Sequence, residues 1–210
     1  PQEISEKNYF FKLSKYLEDV KERIERDEIL IRNNTAKNEV LGLFKQGLDD
    51  FSVTRESVKW GIPFDPDPEQ VIYVWVEALQ NYLTGISYAK DEKQFNHYWP
   101  ANVHIIGRDI LKFHAVYWPA MLLAAGLEVP QEVFIHGFFT VNGDKMSKTL
   151  GNVIDPVAMV DEYSSDGARY LILSQFTFGA DGDVKAERFT EQYNEFCANG
   201  VGNLFQRTLT

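Results

Sequence analysis

Hydrophobic residues recur every three or four positions near the start of the chain, with charged residues between them. The apolar positions in this stretch are Phe10, Leu13, Leu17, Val20 and Ile24. This spacing predicts an α-helix with one apolar face, and we expect it to end near Asp27. A second helix is predicted over residues 37–46, because Gly47 follows as a stop signal.

Three short apolar runs further along the chain predict buried strands, at residues 71–74, 103–106 and 133–135. Helical patterns separate these runs. Alternation of strands and helices is typical of parallel strands joined by crossover helices. The pattern therefore predicts an α/β fold with a doubly wound parallel sheet. The turn-rich stretch 49–67 precedes it and contains one short strand near residues 51–54.

Open α/β sheets bind ligands at the carboxyl ends of their strands. In this chain those ends carry Trp75, the run Gly107-Arg108-Asp109, and His136-Gly137. Helices predicted over residues 156–163, 167–176 and 185–206 then lead away from the sheet.

Two helices that begin at this edge carry aromatic stripes. The first stripe is Trp75, Ala78, Leu79 and Tyr82, and the second is Ile110, His114 and Trp118. Alone, a stripe at helical spacing usually packs into a core. Its position at the ligand-binding edge favours an apolar pocket with a polar tip. Pro119 should bend the helix that carries the second stripe.

Asp109 has two explanations that the sequence leaves open. An aspartate at a helix start can cap the helix, or its carboxylate can bind a ribose or an amino group. Gly107 lets a ligand approach the backbone closely. The run 181–183 lacks the ligand spacing of a calcium loop, which favours a structural turn.

Composition excludes several classes of protein. The chain has 210 residues, 44% of them hydrophobic, and a net charge of −10, which does not suit a general nucleic-acid binder. One cysteine, Cys197, allows neither an internal disulfide nor a cysteine zinc cluster. No apolar run approaches the roughly 18 residues of a membrane span, and the first residues do not resemble a secretion signal. We expect a cytoplasmic protein, with an organelle as the alternative.

Residues 144–152 read Asp-Lys-Met-Ser-Lys-Thr-Leu-Gly-Asn and follow the turn pair Asn142-Gly143. Two mobile cations on a short loop, Lys145 and Lys148, suit a polyphosphate whose charge is held during a reaction. Two lysines alone more often form a solvated basic turn.

The whole run resembles the Lys-Met-Ser-Lys-Ser signature of class I aminoacyl-tRNA synthetases, with Thr149 in place of the last serine. Other stretches are similar to the methionyl-tRNA synthetase family in particular. These are residues 8–16, 61–63, 71–82, 103–119, 133–137, 179–183 and 201–207. Glu77 stands where that family usually has aspartate, and Leu79 replaces a proline found in some members.

The resemblance implies the second half of a doubly wound, Rossmann-like sheet followed by a helical stem region. Residues 1–50 would end an inserted connective segment, 51–143 would form the half-sheet, 144–184 the lysine loop and stem contact, and 185–210 the start of an anticodon-binding helical domain. The other class signature, His-Ile-Gly-His, does not occur, because Arg108 follows the similar run 104–107. We therefore expect an internal fragment that is inactive alone.

The resemblance also implies roles for individual residues. Those around the methionine side chain would be Trp75, Ala78, Tyr82, Ile110, His114 and Trp118, with Asp109 on the amino group. Those around ATP would be Gly107, Asp109, His136, Gly137, Lys145 and Lys148, the two lysines being catalytic. The complete enzyme would form methionyl-adenylate from methionine and Mg²⁺-bound ATP, then charge tRNA(Met). No metal or zinc site is expected in this chain, and no membrane partner.

Two alternative functions fit the sequence less well. A non-catalytic relative that only binds methionine has no need of both lysines. A dinucleotide-dependent oxidoreductase would require a Gly-x-Gly-x-x-Gly turn after a strand, which the sequence lacks.

Overall fold

The computed structural model describes residues 6–209. Its contacts divide into two compact units, one that ends at Ile135 (unit 1) and one that begins at His136 (unit 2). The strands are β1 (Phe10–Phe11), β2 (Leu30–Ile31), β3 (Phe51–Ser52), β4 (Thr54–Arg55), β5 (Pro63–Phe64), β6 (Asp67–Ile72), β7 (His104–Gly107), β8 (Glu132–His136), β9 (Phe139–Val141), β10 (Asp144–Lys145) and β11 (Gly182–Val184). The α-helices are α1 (Leu17–Glu25), α2 (Asn34–Gln46), α3 (Val74–Thr84), α4 (Glu92–Tyr98), α5 (Trp118–Ala124), α6 (Pro156–Leu173), α7 (Phe189–Tyr193) and α8 (Asn203–Leu209).

A three-stranded sheet with the order β2-β8-β7 lies in unit 1. β2 pairs with β8 in parallel, with Leu30 opposite Glu132. Next to this pairing, the Arg32 guanidinium donates two hydrogen bonds to the Glu132 carboxylate, each of 2.6 Å. The α/β prediction with a parallel sheet is confirmed.

The prediction that residues 71–74 form a parallel strand is wrong. β6 ends at Ile72 and pairs antiparallel with β4 and β5 in a separate sheet. Only Asp65 and Pro66 separate β5 from β6. A link this short makes a hairpin, whereas parallel strands need a long crossover. The strand that pairs with β8 in the parallel sheet is instead β2, which was not predicted from the sequence.

The first predicted helix begins later than expected. Phe10 and Phe11 form β1, which pairs antiparallel with β3, and aromatic residues favour such extended backbone. A 3₁₀ turn over Leu13–Lys15 leads into α1. The predicted apolar positions Leu13, Val20 and Ile24 are nevertheless fully buried.

The second predicted helix is confirmed, with an earlier start. Asn33 caps α2, since its side chain accepts a hydrogen bond from the Thr35 N–H at 2.8 Å. The helix ends before Gly47, whose φ of +85° suits glycine.

The helical region after β7 is irregular, as Pro119 predicted. A 3₁₀ turn over Arg108–Ile110 is followed by a π-helical turn over Phe113–Tyr117 and then by α5. Pro119 lacks the N–H that an α-helix would use at that position. The π-helical turn lies just before Pro119, and π-helical turns often occur at functional sites.

Unit 2 contains a sheet with the order β10-β9-β11. β9 and β10 form an antiparallel hairpin, and β11 pairs with β9 in parallel. α6 covers the predicted helix 156–163 and most of the predicted helix 167–176, which ends earlier, at Leu173; a break lies at Ser164, where φ is +66°. The predicted helix over 185–206 is observed as a 3₁₀ turn, α7, a π-helix over Asn194–Gly202 and α8.

Across residues 6–209, none of the helices has both the length and the apolar character required to cross a membrane.

Candidate functional site

A hydrogen-bonded pair, Tyr82 and His114, joins α3 to the π-helical turn in unit 1. The Tyr82 hydroxyl lies 2.9 Å from His114 Nε2, and His114 Nδ1 lies 3.1 Å from the Ile110 carbonyl oxygen. A carbonyl oxygen only accepts, so Nδ1 carries the proton and donates. In the neutral ring Nε2 then accepts from Tyr82, and both groups satisfy each other.

Burial keeps this pair uncharged. His114 is 2% exposed, and burial lowers its pKa, against a smaller opposing effect of the Ile110 hydrogen bond. Burial likewise raises the pKa of the Tyr82 hydroxyl. At neutral pH the site therefore presents a polar but neutral tip.

Further aromatic rings lie in the same part of unit 1. Trp75 stacks on Phe113 with a centroid distance of 4.2 Å, and Trp118, 1% exposed, lies 6.2 Å from the Tyr82 ring. The prediction that Trp75 follows a strand of the parallel sheet is wrong. Trp75 is linked to this region through Phe113, which packs against the core that contains Trp118. On α3 the core-facing residues are Val76, Leu79 and Leu83, which leaves Ala78 exposed and Tyr82 36% exposed.

His104 belongs to this cluster, although the sequence did not single it out. Its ring lies 4.3 Å from that of Tyr82 and 6.0 Å from that of His114. Burial, and secondly the electrostatic effect of the neighbouring His114 ring, which would repel a second protonated imidazole, lowers the pKa of His104 to about 4. Along β7 His104 and Ile106 are buried while Ile105 is exposed, but the residue types of the run 103–106 do not show this alternation.

A surface cavity of about 410 Å³ adjoins the cluster, and Tyr82 and His104 both line it. Two buried nitrogens near it, His104 Nε2 and Trp118 Nε1, have no hydrogen-bond partner among the described residues.

Asp109 does not cap a helix. It lies in the 3₁₀ turn after β7, where Gly107 occupies the cap position and no side chain makes a capping bond. Its side chain is exposed. Of the two explanations that the sequence left open, the cap is therefore wrong.

The two lysines lie in unit 2 and follow a tight hairpin turn, with Lys145 in β10 and Lys148 in the loop after it. Asn142 and Gly143 have φ values of +53° and +83°, the geometry that an Asn-Gly hairpin turn adopts, so the predicted turn is confirmed. Asp183 on β11 accepts hydrogen bonds from the Gly143 N–H at 2.7 Å and the Thr140 hydroxyl at 2.8 Å. The Gly143 bond, followed by the Thr140 bond, lowers the pKa of Asp183.

Lys145 and Lys148 are both exposed. Within the part of the chain that the structure describes, neither amine has a carboxylate partner within 4.0 Å. Both positive charges are therefore available to an anionic ligand.

His136 and Gly137 begin unit 2. His136 is exposed, and its Nδ1 donates to the Gly137 carbonyl oxygen at 2.8 Å. A Cβ added at Gly137 would lie 2.0 Å from the Ala180 carbonyl oxygen. Packing alone thus requires glycine here. Asp181 accepts the Phe138 N–H at 2.8 Å. The structural turn predicted for residues 181–183 is wrong, because Gly182 and Asp183 belong to strand β11, which pairs with β9.

No group of three or more potential metal ligands occurs among residues 6–209.

Comparison with known proteins identifies the family. The model described as tRNA synthetases class I (M) matches residues 1–209. The chain belongs to this class I tRNA synthetase family. It is 46% identical over 204 residues to the methionine–tRNA ligase of Thermotoga maritima and 48% identical over 208 residues to that of Nostoc sp..

These alignments cover 97% of the chain but only 32% and 39% of the two relatives. The chain thus spans about a third of the length of the curated relatives that it matches.

Solved structures of methionyl-tRNA synthetases resemble the fold of this chain. The chain is 44% identical to the Mycobacterium tuberculosis methionyl-tRNA synthetase in complex with methionyl-adenylate, with a TM-score of 0.91 over 97% of the chain and 40% of that protein. The apo form of that enzyme gives a TM-score of 0.84 at 41% identity.

Proposed function

We propose that the chain supplies the methionine-binding and phosphate-binding parts of a methionine–tRNA ligase. Unit 1 would hold the methionine side chain, and the lysines of unit 2 would hold the phosphates of ATP. The observation that carries the proposal is the neutral Tyr82–His114 pair set among aromatic rings, in a chain of this family.

The chemistry of the pair suits a thioether. Tyr82 and His114 use their strong donor and acceptor on each other, and neither is charged. A lysine or glutamate side chain would find no opposite charge here, whereas a thioether needs only weak polar contacts. Sulfur against aromatic rings such as Trp75 and Trp118 gains about 0.3–1.5 kcal/mol per contact.

The remaining side chains of unit 1 would complete the amino-acid site. Ala78 and Ile110 would border the methionine side chain, and the exposed Asp109 carboxylate would bind the ammonium group. Gly107, with Asp109, would lie beside ATP, as would His136 and Gly137 of unit 2.

The reaction transfers an adenylyl group. The methionine carboxylate attacks the α-phosphorus of ATP, a new oxygen–phosphorus bond forms, and the bond to the β-phosphate bridging oxygen breaks. Pyrophosphate leaves with its negative charge. Lys145 and Lys148 would stabilise that developing charge, with Mg²⁺ accompanying ATP. The complete ligase would then charge tRNA(Met), in the cytoplasm.

The test is methionine-dependent ATP–pyrophosphate exchange by the complete ligase. We expect Lys148→Ala to lower kcat by roughly 10²–10³-fold, the effect of removing one preorganised transition-state donor. Lys93→Ala, which removes the same charge from α4, is the matched control and should leave kcat unchanged. A decrease below about threefold would exclude the role given to Lys148. Methionine binding without any exchange would favour the non-catalytic alternative.

A further inference from the structure

Asn152 joins the two ends of the segment that carries the lysines. Its Oδ1 accepts a hydrogen bond from the Ser147 N–H at 2.8 Å, and its Nδ2 donates to the Lys145 carbonyl oxygen at 3.2 Å. One side-chain amide therefore fixes the backbone at the first lysine and just before the second.

Two further bonds shape the same segment. The Ser147 hydroxyl oxygen accepts the Leu150 N–H at 3.2 Å, and the Gly151 N–H donates to the Lys148 carbonyl oxygen at 3.2 Å. Gly151 has a φ of +67°, a conformation that glycine adopts without strain. The backbone from Lys145 to Asn152 is thus a closed turn.

The contacts of Asn152 require an amide of this length. The side chain must offer an acceptor and a donor in one plane, which aspartate and alanine do not provide. Glutamine has both atoms but places them one methylene further away. Asn152 is half-buried, whereas Lys145 and Lys148 project into solvent. The amide thus acts on the backbone and leaves both amines free for a ligand.

We propose that Asn152 is a positioning residue for Lys145 and Lys148 during adenylate formation. It holds the backbone of the loop before the phosphates bind, so that less reorganisation is needed as charge develops. This inference rests on the proposed function, since it assigns a role within the same reaction.

The first test measures the turn itself in the 210-residue chain, by amide hydrogen exchange. Asn152→Ala should speed exchange at the Ser147 N–H at least tenfold, because that donor loses its acceptor. Asn152→Asp keeps the acceptor and should preserve the protection. Val153→Ala, an exposed neighbour outside the turn, is the control, and unchanged protection in α6 shows that unit 2 stays folded. Exchange at Ser147 within twofold of the unchanged chain contradicts the inference.

The second test measures catalysis in the complete ligase. Asn152→Ala should lower kcat for pyrophosphate exchange roughly 5- to 100-fold, the effect expected from two hydrogen bonds, with KM for methionine within twofold. Asn152→Asp should lie between alanine and the unchanged enzyme. In a Lys148→Ala background the same substitution should lower kcat by a smaller factor than in the unchanged enzyme, because the part of its effect that passes through Lys148 is then lost.

Fully multiplicative effects of the two substitutions would show a merely structural role and overturn the inference, as would a kcat within twofold of the unchanged enzyme. If the unchanged ligase shows no exchange activity, the proposed function fails. The amide measurement still decides in that case whether Asn152 closes the turn.

Discussion

His104 should make the stability of the chain sensitive to mild acid, and replacing it with glutamine should remove that sensitivity. The side chain is 6% exposed, and its Nε2 has no hydrogen-bond partner among residues 6–209. Its two ring neighbours offer no negative charge: Tyr82 is a neutral phenol, and burial lowers the pKa of His114 as well. Protonation therefore places an unpaired charge inside unit 1, and the pKa falls to about 4.

The sign and the size of the effect follow from the two pKa values. In the unfolded chain a histidine binds a proton near pH 6.5, whereas in the folded chain His104 binds one only near pH 4. Between these values the unfolded state holds more protons, so the stability present at pH 7 is lost as the pH falls. Integration over the two values gives a loss of about 2 kcal/mol between pH 7 and pH 5 from this residue alone.

The assay is urea unfolding of the chain at pH 7 and at pH 5. Between the two pH values, His104→Gln should lose about 2 kcal/mol less unfolding free energy than the unchanged chain. His97→Gln, at an exposed histidine of α4, controls for the loss of an imidazole and should behave like the unchanged chain. Losses for His104→Gln and the unchanged chain that agree within about 0.5 kcal/mol, the usual error of such differences, would refute the reasoning.

Three further predictions concern the Tyr82–His114 hydrogen bond, the packing around Gly137 and the His-Ile-Gly-His signature that this sequence lacks. Tyr82→Phe leaves the buried His114 Nε2 without its donor and should lower the unfolding free energy by about 1–3 kcal/mol; no change in urea midpoint would show that the bond is unimportant. Gly137→Ala places a Cβ against the Ala180 carbonyl oxygen and should lower Tm, whereas Gly42→Ala, with open space around it in α2, should not; equal effects would contradict the packing argument. The isolated 210-residue chain should show no methionine-dependent pyrophosphate exchange, and any clear activity would show that the His-Ile-Gly-His signature is dispensable.

Local features of the fold were predictable because they depend on residues close in sequence. The stop at Gly47, the Asn142-Gly143 turn and the irregular backbone before Pro119 all follow from backbone preferences of single residues. The break in α6 does not, because serine seldom adopts the positive φ of Ser164.

Strand partners were less predictable, because an apolar run does not show which strand it pairs with. Residues 71–74 had the composition of a parallel strand, yet the short link at Asp65 and Pro66 made the pairing antiparallel. β2 has only two residues, too few for a periodic signal, and its pairing with β8 spans about a hundred positions in sequence.

The candidate site was predictable in part. The stripes correctly brought Tyr82, His114 and Trp118 together, although 3₁₀ and π-helical turns interrupt the helical spacing of the second stripe. His104 was missed because its burial depends on aromatic rings from other elements. The roles of the site residues and the division into four regions stay predictions. The prediction that Trp75 lies at the same sheet edge as Gly107 and His136 is wrong, because β6 belongs to a separate sheet from β7 and β8.

The central claim is that the neutral pair and its aromatic surroundings select methionine for activation. The most direct measurement is the amino-acid dependence of ATP–pyrophosphate exchange by the complete ligase, comparing kcat/KM for methionine, leucine and glutamine. We expect methionine to exceed leucine by roughly 10- to 200-fold, the range that an apolar pocket achieves between similar side chains, and glutamine by more. Equal values for the three amino acids, or exchange that does not depend on methionine, would contradict the account.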